Sequence, residues 1–282
     1  MVALIGASGS GKSTLVRAIA GLVPIDQPAT SDNSGAPAGE IVLFGQLMQR
    51  RGRITRAAKR LRVRVGVVFQ QFNLVPRLSV LTNVCLGLLG QMSFVHGVIG
   101  RFTELDKQRA MRALVRVGIA DHALKRGAYL SGGQQQRAAI ARTLVQRAEL
   151  LLADEPIASL DPGAARRVMD ILAELNRSDR ITVLVSLHQV EYALRYCPRT
   201  IALRSGEVVY DGPSSELTSA LLTSIYSADS EGLLVSSTEP VGVMAAQTTL
   251  ATMPGGRLGL APDAASTAGH VWAFSEAEQL RA

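Results

Sequence analysis

Apolar residues fall into short runs separated by polar segments, and their period changes along the chain. Val2 to Ile5 is a run of strand length, and Thr14 then opens a helical period through Leu15, Val16, Ile19 and Ala20. A loop rich in Pro, Ser, Asp and Gly covers Pro24 to Gly39, and Ile41 to Phe44 reads as a short strand. A basic segment read as a helix with its flanking loop leads to the apolar run Val65-Gly66-Val67-Val68-Phe69, which ends at Gln70-Gln71. From about residue 78 to 147 the pattern is mostly helical, with Ala110, Leu114, Val115 and Ile119 at helical spacing. Leu150-Leu151-Leu152-Ala153 is fully apolar, the pattern of a strand buried on both faces of a parallel sheet. A helix from Pro162 to Asn176, a strand from Thr182 to Ser186 and a further helix follow. The hairpin Ile201–Arg204, Ser205-Gly206, Val208–Tyr210 closes the regular part.

Strands alternating with helices predict an α/β fold with a parallel sheet, and the helix-only middle predicts an inserted α-helical subdomain. The expected division is a core of residues 1–77 and 148–228, a helical subdomain of 78–147 and a tail of 229–282. The tail shifts to Ala, Gly, Ser, Thr and Pro and reads as weakly ordered, although it holds the single tryptophan, Trp272. No internal repeat marks a duplicated unit. The most apolar long stretch, Leu78 to Gly100, is interrupted by Asn83, Gln91 and His96. It falls short of the roughly 18 uninterrupted apolar residues that a spanning helix needs. No basic leader or cleavage site precedes Val2, so no targeting segment is expected.

Composition narrows the class. In 282 residues, 47% are hydrophobic and 19% charged, which supplies a sizeable core and excludes wholesale disorder. Two cysteines exclude a disulfide scaffold, and Cys85 and Cys197 read as core fillers outside any metal-ligand spacing. The net charge of +7 is unevenly placed. Ile41 to Thr103 holds ten Lys and Arg and no acid, which leaves −3 for the rest of the chain. Eight of the ten lie between Arg50 and Arg64. Such a run can meet an anionic partner, but no aromatics are interleaved for base stacking. The solvated face of a helix is the favoured reading.

Three motifs carry chemistry. Gly6-Ala7-Ser8-Gly9-Ser10-Gly11-Lys12-Ser13, followed by Thr14, is the phosphate-binding pattern G-x-x-x-x-G-K-[ST] between a strand and a helix. Its backbone N–H groups and helix N-terminus would cradle phosphate oxygens, Lys12 would reach the β- and γ-phosphates, and Ser13 would ligate Mg²⁺. Leu130-Ser131-Gly132-Gly133-Gln134 opens a long helix and forms a second anion site. Two such sites in one chain make sense if Ser131, Gly132, Gly133 and Gln134 cover a nucleotide held by another subunit. Asp154-Glu155 ends an apolar strand, where parallel sheets place ligands. Asp154 would orient Mg²⁺ through its water shell, and Glu155 would act as general base on the attacking water.

The order of these motifs, with Gln70 ending one strand and His188 following another, resembles the ATPase subunit of an ATP-binding cassette transporter over roughly Met1 to Tyr226. The resemblance implies a RecA-like P-loop NTPase core that works as a head-to-tail homodimer on ATP and Mg²⁺. Under it, Gln70 senses the γ-phosphate and Mg²⁺, Ser159-Leu160-Asp161 joins the two subunits beside ATP, and His188 contacts the γ-phosphate. His96, His122 and His270 match no motif. Ala153-Asp154-Glu155-Pro156-Ile157-Ala158-Ser159-Leu160-Asp161-Pro162, Val185-Ser186-Leu187-His188-Gln189-Val190, Arg195-Tyr196-Cys197, Asn73-Leu74-Val75 and Arg77-Leu78-Ser79-Val80 further resemble the ATPase of phosphonate importers. That implies membrane permease subunits and, indirectly, a periplasmic binding protein as partners. It also implies a peripheral place on the cytoplasmic face of the bacterial inner membrane, with no nucleic acid involved. In the family, two strands and an adenine-stacking aromatic precede the phosphate loop, whereas Met1 lies five residues before Gly6. Met1 thus reads as an internal methionine, and an upstream start adding strand–turn–strand is expected.

Two rivals belong to other classes. A soluble cassette ATPase acting on nucleic acid or the ribosome is supported only by the basic segment, and such proteins carry two cassettes or a long coiled-coil insertion. A catalytically dead regulatory subunit is opposed by intact Lys12, Asp154, Glu155 and His188.

Overall fold

The computed structural model describes residues 1–25, 39–92 and 101–226. In chain order the strands are β1 (Val2–Ile5), β2 (Glu40–Leu43), β3 (Gln46–Arg50), β4 (Arg53–Ile54), β5 (Val65–Val68), β6 (Leu150–Ala153), β7 (Thr182–Ser186), β8 (Arg199–Arg204) and β9 (Glu207–Pro213). The helices are α1 (Lys12–Ile19), α2 (Ala58–Val63), α3 (Val80–Cys85), α4 (Glu104–Arg116), α5 (Gly132–Val145), α6 (Pro162–Ser178), α7 (Val190–Tyr196) and α8 (Ser219–Tyr226). Between β5 and β6 the described chain is helix and 3₁₀ turn, with no strand.

Six strands form the main sheet in the order β5-β6-β7-β1-β8-β9, parallel throughout except for the β8–β9 hairpin. The hairpin turns at Ser205 and Gly206, both with positive φ (51° and 86°), the geometry that matches the twist of its strands. Alternation along β1 decides the layering. Ala3 and Ile5 join one buried cluster with Leu151, Val183 and the helices α5 and α6, whereas Leu4 joins a second with Leu152, Leu203 and Val16 of α1. A strand apolar on both faces must be covered on both faces, which is the α/β fold expected from the run Leu150–Ala153.

α6 shows why the long helices form where they do. Asp161 caps it by accepting from Ala164 N–H at 2.9 Å, and Pro162 takes the first turn, where its missing N–H costs nothing. Ala165, Val168, Met169, Leu172 and Leu175 make its buried stripe. Each large side chain placed there contributes about 1.5 to 3 kcal/mol of burial. α5 differs: Ala138, Ala139, Ile140 and Ala141 are buried in succession, so this helix is enclosed on most sides. Its small residues allow the close approach seen at Gly66 of β5, where an added Cβ would sit 2.8 Å from Thr143.

The basic stretch is not the helix its charge pattern suggests. Arg50, Arg51 and Arg53 belong to the β3–β4 hairpin of a small antiparallel sheet, with the turn residues Arg51 and Gly52 at φ of 50° and 71°. Two consecutive left-handed residues end any helix, so only Ala58–Val63 is helical. Several of its cations serve structure. Arg50 pairs with Glu40 at 3.5 Å, Arg64 pairs with Glu149 at 2.6 Å and stacks 3.9 Å above Phe44, and Arg62 bonds the Gly21 carbonyl. β3, β4 and α8 were not anticipated from the periodicity. Cys85 and Cys197 are buried, and burial pushes their thiols up to about 11 and about 12, so both fill core space as inert thiols. Among the described residues no helix is long and apolar enough to cross a membrane. The tail 229–282, Trp272, His96 and His270 lie outside the described residues.

Candidate functional site

Strand order assembles the first site. β5, β6, β7 and β1 are consecutive neighbours and parallel, so the residues after their C-terminal ends share one edge of the sheet. Gln70 follows β5, Asp154-Glu155 follow β6, Ser186 and His188 lie at and just past the end of β7, and the loop Gly6–Ser13 follows β1.

The loop after β1 wraps tightly. Gly6 has φ of 148°, and a Cβ on it would lie 2.2 Å from the Leu203 carbonyl oxygen, so no other residue fits there. Lys12 is 4% exposed and its Nζ donates to the carbonyls of Gly6 and Ala7 at 2.8 and 2.9 Å. Gly11, left-handed at φ of 100°, starts α1 with no side-chain cap and no acid in the first turn. The positive end of α1, with no side-chain cap of its own, is therefore suited to an anion. That arrangement fits a nucleotide phosphate.

A hydrogen-bonded chain runs from this loop to the other strands. Ser13 Oγ donates to Asp154 Oδ1 at 2.9 Å, and Ser186 Oγ donates to the same oxygen at 3.0 Å. Ser186 Oγ in turn accepts from the Glu155 N–H at 2.8 Å. Glu155 takes a left-handed φ of 48°, rare for a residue with a Cβ, and such strain concentrates at functional positions. Its Oε1 meets His188 Nε2 at 2.5 Å. A hydroxyl beside a buried carboxylate is a donor set for a hard cation that keeps water ligands, so Ser13 and Asp154 fit Mg²⁺. Among the described residues no group of three or more His, Cys, Asp or Glu forms a protein-only metal cage. Gln70 is exposed and bonds to neither Ser13 nor Asp154. Ser186, the bridge between the two acids, was missed from sequence; its signal was a lone hydroxyl ending an apolar strand.

The second site is local. Ser131 caps α5, its Oγ accepting from Gln134 N–H while Gln134 Oε1 accepts from Ser131 N–H at 2.9 Å. A Cβ on Gly132 would lie 3.3 Å from Leu160 and 3.5 Å from Phe72, and one on Gly133 2.7 Å from that of Ala164. Ser131, Gly133, Gln134, Arg137, Asp161 and Arg167 line a cavity of about 250 Å³ to which the loop Gly6–Thr14 contributes nothing. Burial and the nearby Arg167 lower the pKa of Arg137, which donates to the carbonyls of Val117 and Gly118. The segment after Gln70 is tied to the helices: Asn83, fully buried, bonds Val75, Leu78 and Ser79, and Arg142 donates to Asn73 O at 2.8 Å.

Known proteins share this layout. The ABC transporter family matches residues 1–158. A phosphonates import ATP-binding protein of Stutzerimonas stutzeri is 55% identical over 235 residues, covering 83% of this chain and 82% of its own. Its counterpart in Cupriavidus pinatubonensis is 56% identical over 234 residues, with 83% and 80% covered. Among solved structures, the dimeric cassette MJ0796 in a post-hydrolysis state bound to ADP and Pi has a TM-score of 0.60 at 33% identity, covering 76% of this chain and 85% of its own. The chain belongs to the ABC transporter family and is an ATPase subunit with a P-loop NTPase fold.

Proposed function

We propose that this chain hydrolyses ATP to energise import of phosphonates or related phosphorus oxyanions through a membrane permease. The run Ser13–Asp154–Ser186–Glu155–His188 carries the hydrolytic part of this reading. The names of the relatives at 55% and 56% identity support the substrate class. The chain would sit peripherally on the cytoplasmic face of the inner membrane, with a periplasmic binding protein as indirect partner.

In this reading the loop Gly6–Thr14 binds the phosphates through its backbone N–H groups, and Lys12 turns from the Gly6 and Ala7 carbonyls to the β- and γ-oxygens. Ser13 and Asp154 would hold Mg²⁺, with Gln70 brought in when the site closes. When bound, Mg²⁺ neutralises charge developing on the phosphoryl oxygens. Glu155 takes the proton of the attacking water, and His188 holds its carboxylate until it meets the γ-phosphate. Ser131, Gly132, Gly133, Gln134 and Asp161 complete the site of a second copy, because their cavity lies apart from their own chain's phosphate loop. Closing around two ATP molecules, then reopening after hydrolysis, moves the permease between its two states. The coupling extends only as far as ATP's differential affinity for the two forms.

Growth tests the transport step. A strain lacking this gene, given a phosphonate as sole phosphorus source, should grow with the wild-type chain restored and not with Lys12→Ala. Equal growth on the phosphonate without the gene would sink the assigned substrate while leaving the ATPase intact.

A further inference from the structure

His122 ends a 3₁₀ turn, Ala120–His122, and belongs to no motif, yet its Nε2 lies 2.7 Å from Nε2 of Gln134. The orientation of the Gln134 amide is fixed on its other side, where Oε1 accepts the Ser131 N–H. That leaves Nε2, which can only donate, facing the imidazole. His122 Nε2 must then be a bare acceptor, with the ring neutral and its proton on Nδ1. Nδ1 is itself buried and has no hydrogen-bond partner, so the ring keeps a buried donor unsatisfied while it serves Gln134. Turning the amide over would offer Oε1 to an N–H on His122 Nε2 but set N–H against N–H at Ser131. One side chain cannot satisfy both arrangements.

We propose that His122 is a positioning residue for the Ser131–Gln134 loop: its neutral imidazole accepts from Gln134 and so holds the capping box closed. The box fixes Ser131 and the first N–H groups of α5, the groups read above as completing the partner's ATP site. The inference therefore rests on that reading of the loop. Without the acceptor, Gln134 is free to rotate and Ser131 loses its fixed partner. The expected loss appears in turnover and not in ATP capture, since the Lys12 loop is untouched.

The test is a double-mutant cycle on the full chain, reading kcat and KM for ATP hydrolysis together with the melting temperature. His122→Leu should lower kcat about threefold to tenfold with KM for ATP unchanged, a range within reach of coupled neighbours. His122→Gln, which offers an oxygen where Nε2 stood, should return kcat towards wild type. In a Gln134→Ala background, His122→Leu should cost nothing further. Equal losses for His122→Leu and His122→Gln, or losses that multiply with Gln134→Ala, would overturn the proposal. If His122→Leu does not fold, His122→Asn removes the contact with a polar side chain and must show the same kcat loss. Full activity in both Gln134→Ala and Ser131→Arg would instead defeat the role given to the loop. Impairment by those two, with wild-type kcat in His122→Leu, would defeat the role of His122 alone.

Discussion

The two candidate anion sites are built by opposite means. At the sheet edge, Ser13, Asp154, Ser186, Glu155 and His188 lie at or beyond the ends of three strands and meet through hydrogen bonds spanning up to 141 positions. At the start of α5, Ser131 and Gln134 satisfy one another across three residues, and the cavity beside them holds one carboxylate, Asp161, itself engaged in capping α6. The first site contains a glutamate in a strained backbone conformation, a buried aspartate and a lysine, groups that can do chemistry. The second contains helix donors and arginines, the elements of charge recognition. On the function proposed above, a single chain would bind and cleave ATP at the first site and meet a neighbour's ATP through the second, on a different surface.

Separating the sites between two chains breaks this division most severely. Lys12→Ala and Ser131→Arg should each abolish hydrolysis, while Ser131→Arg still binds ATP. Mixing the two variants should restore activity, because a head-to-tail heterodimer holds one intact composite site. A mixture that dimerises and stays inactive would show that the sites are not shared.

Within the first site, Glu155→Gln should lower kcat about 100- to 10,000-fold, the range for loss of a general base, with ATP binding retained. The variant should accumulate as an ATP-bound dimer on size exclusion. Wild-type turnover would remove Glu155 from the role of base.

Ser186→Ala sharpens the comparison at smaller cost. It removes one donor to Asp154 and the acceptor of the Glu155 N–H, leaving that donor unpaired. Stability should fall by about 1 to 3 kcal/mol, read from the urea midpoint, with kcat reduced less than in Glu155→Gln. An unchanged midpoint would mean that water replaces the hydroxyl and that the bridge is dispensable.

Legibility followed the range of the interactions. The phosphate loop, the helix start at Ser131 and the Ser205-Gly206 turn were readable because backbone geometry restricts them to particular residues within a few positions. Leu150–Ala153 announced a doubly covered strand because a strand with no polar face has no solvated side. The β3–β4 hairpin was hidden because arginine side chains carry no period that separates strand from helix; Gly52 was its one signal.

By itself, the sequence determined the nucleotide chemistry and the α/β class, since both are written in local backbone requirements and in hydrophobic period. Only the tertiary structure decided which distant residues touch. The order β5-β6-β7-β1 sets Ser186 between Asp154 and Glu155, and a 3₁₀ turn brings His122, given no role from sequence, against Gln134. Such contacts arise from the order in which strands pair and helices pack, and no period or spacing along the chain encodes them in a form that can be read off one residue at a time.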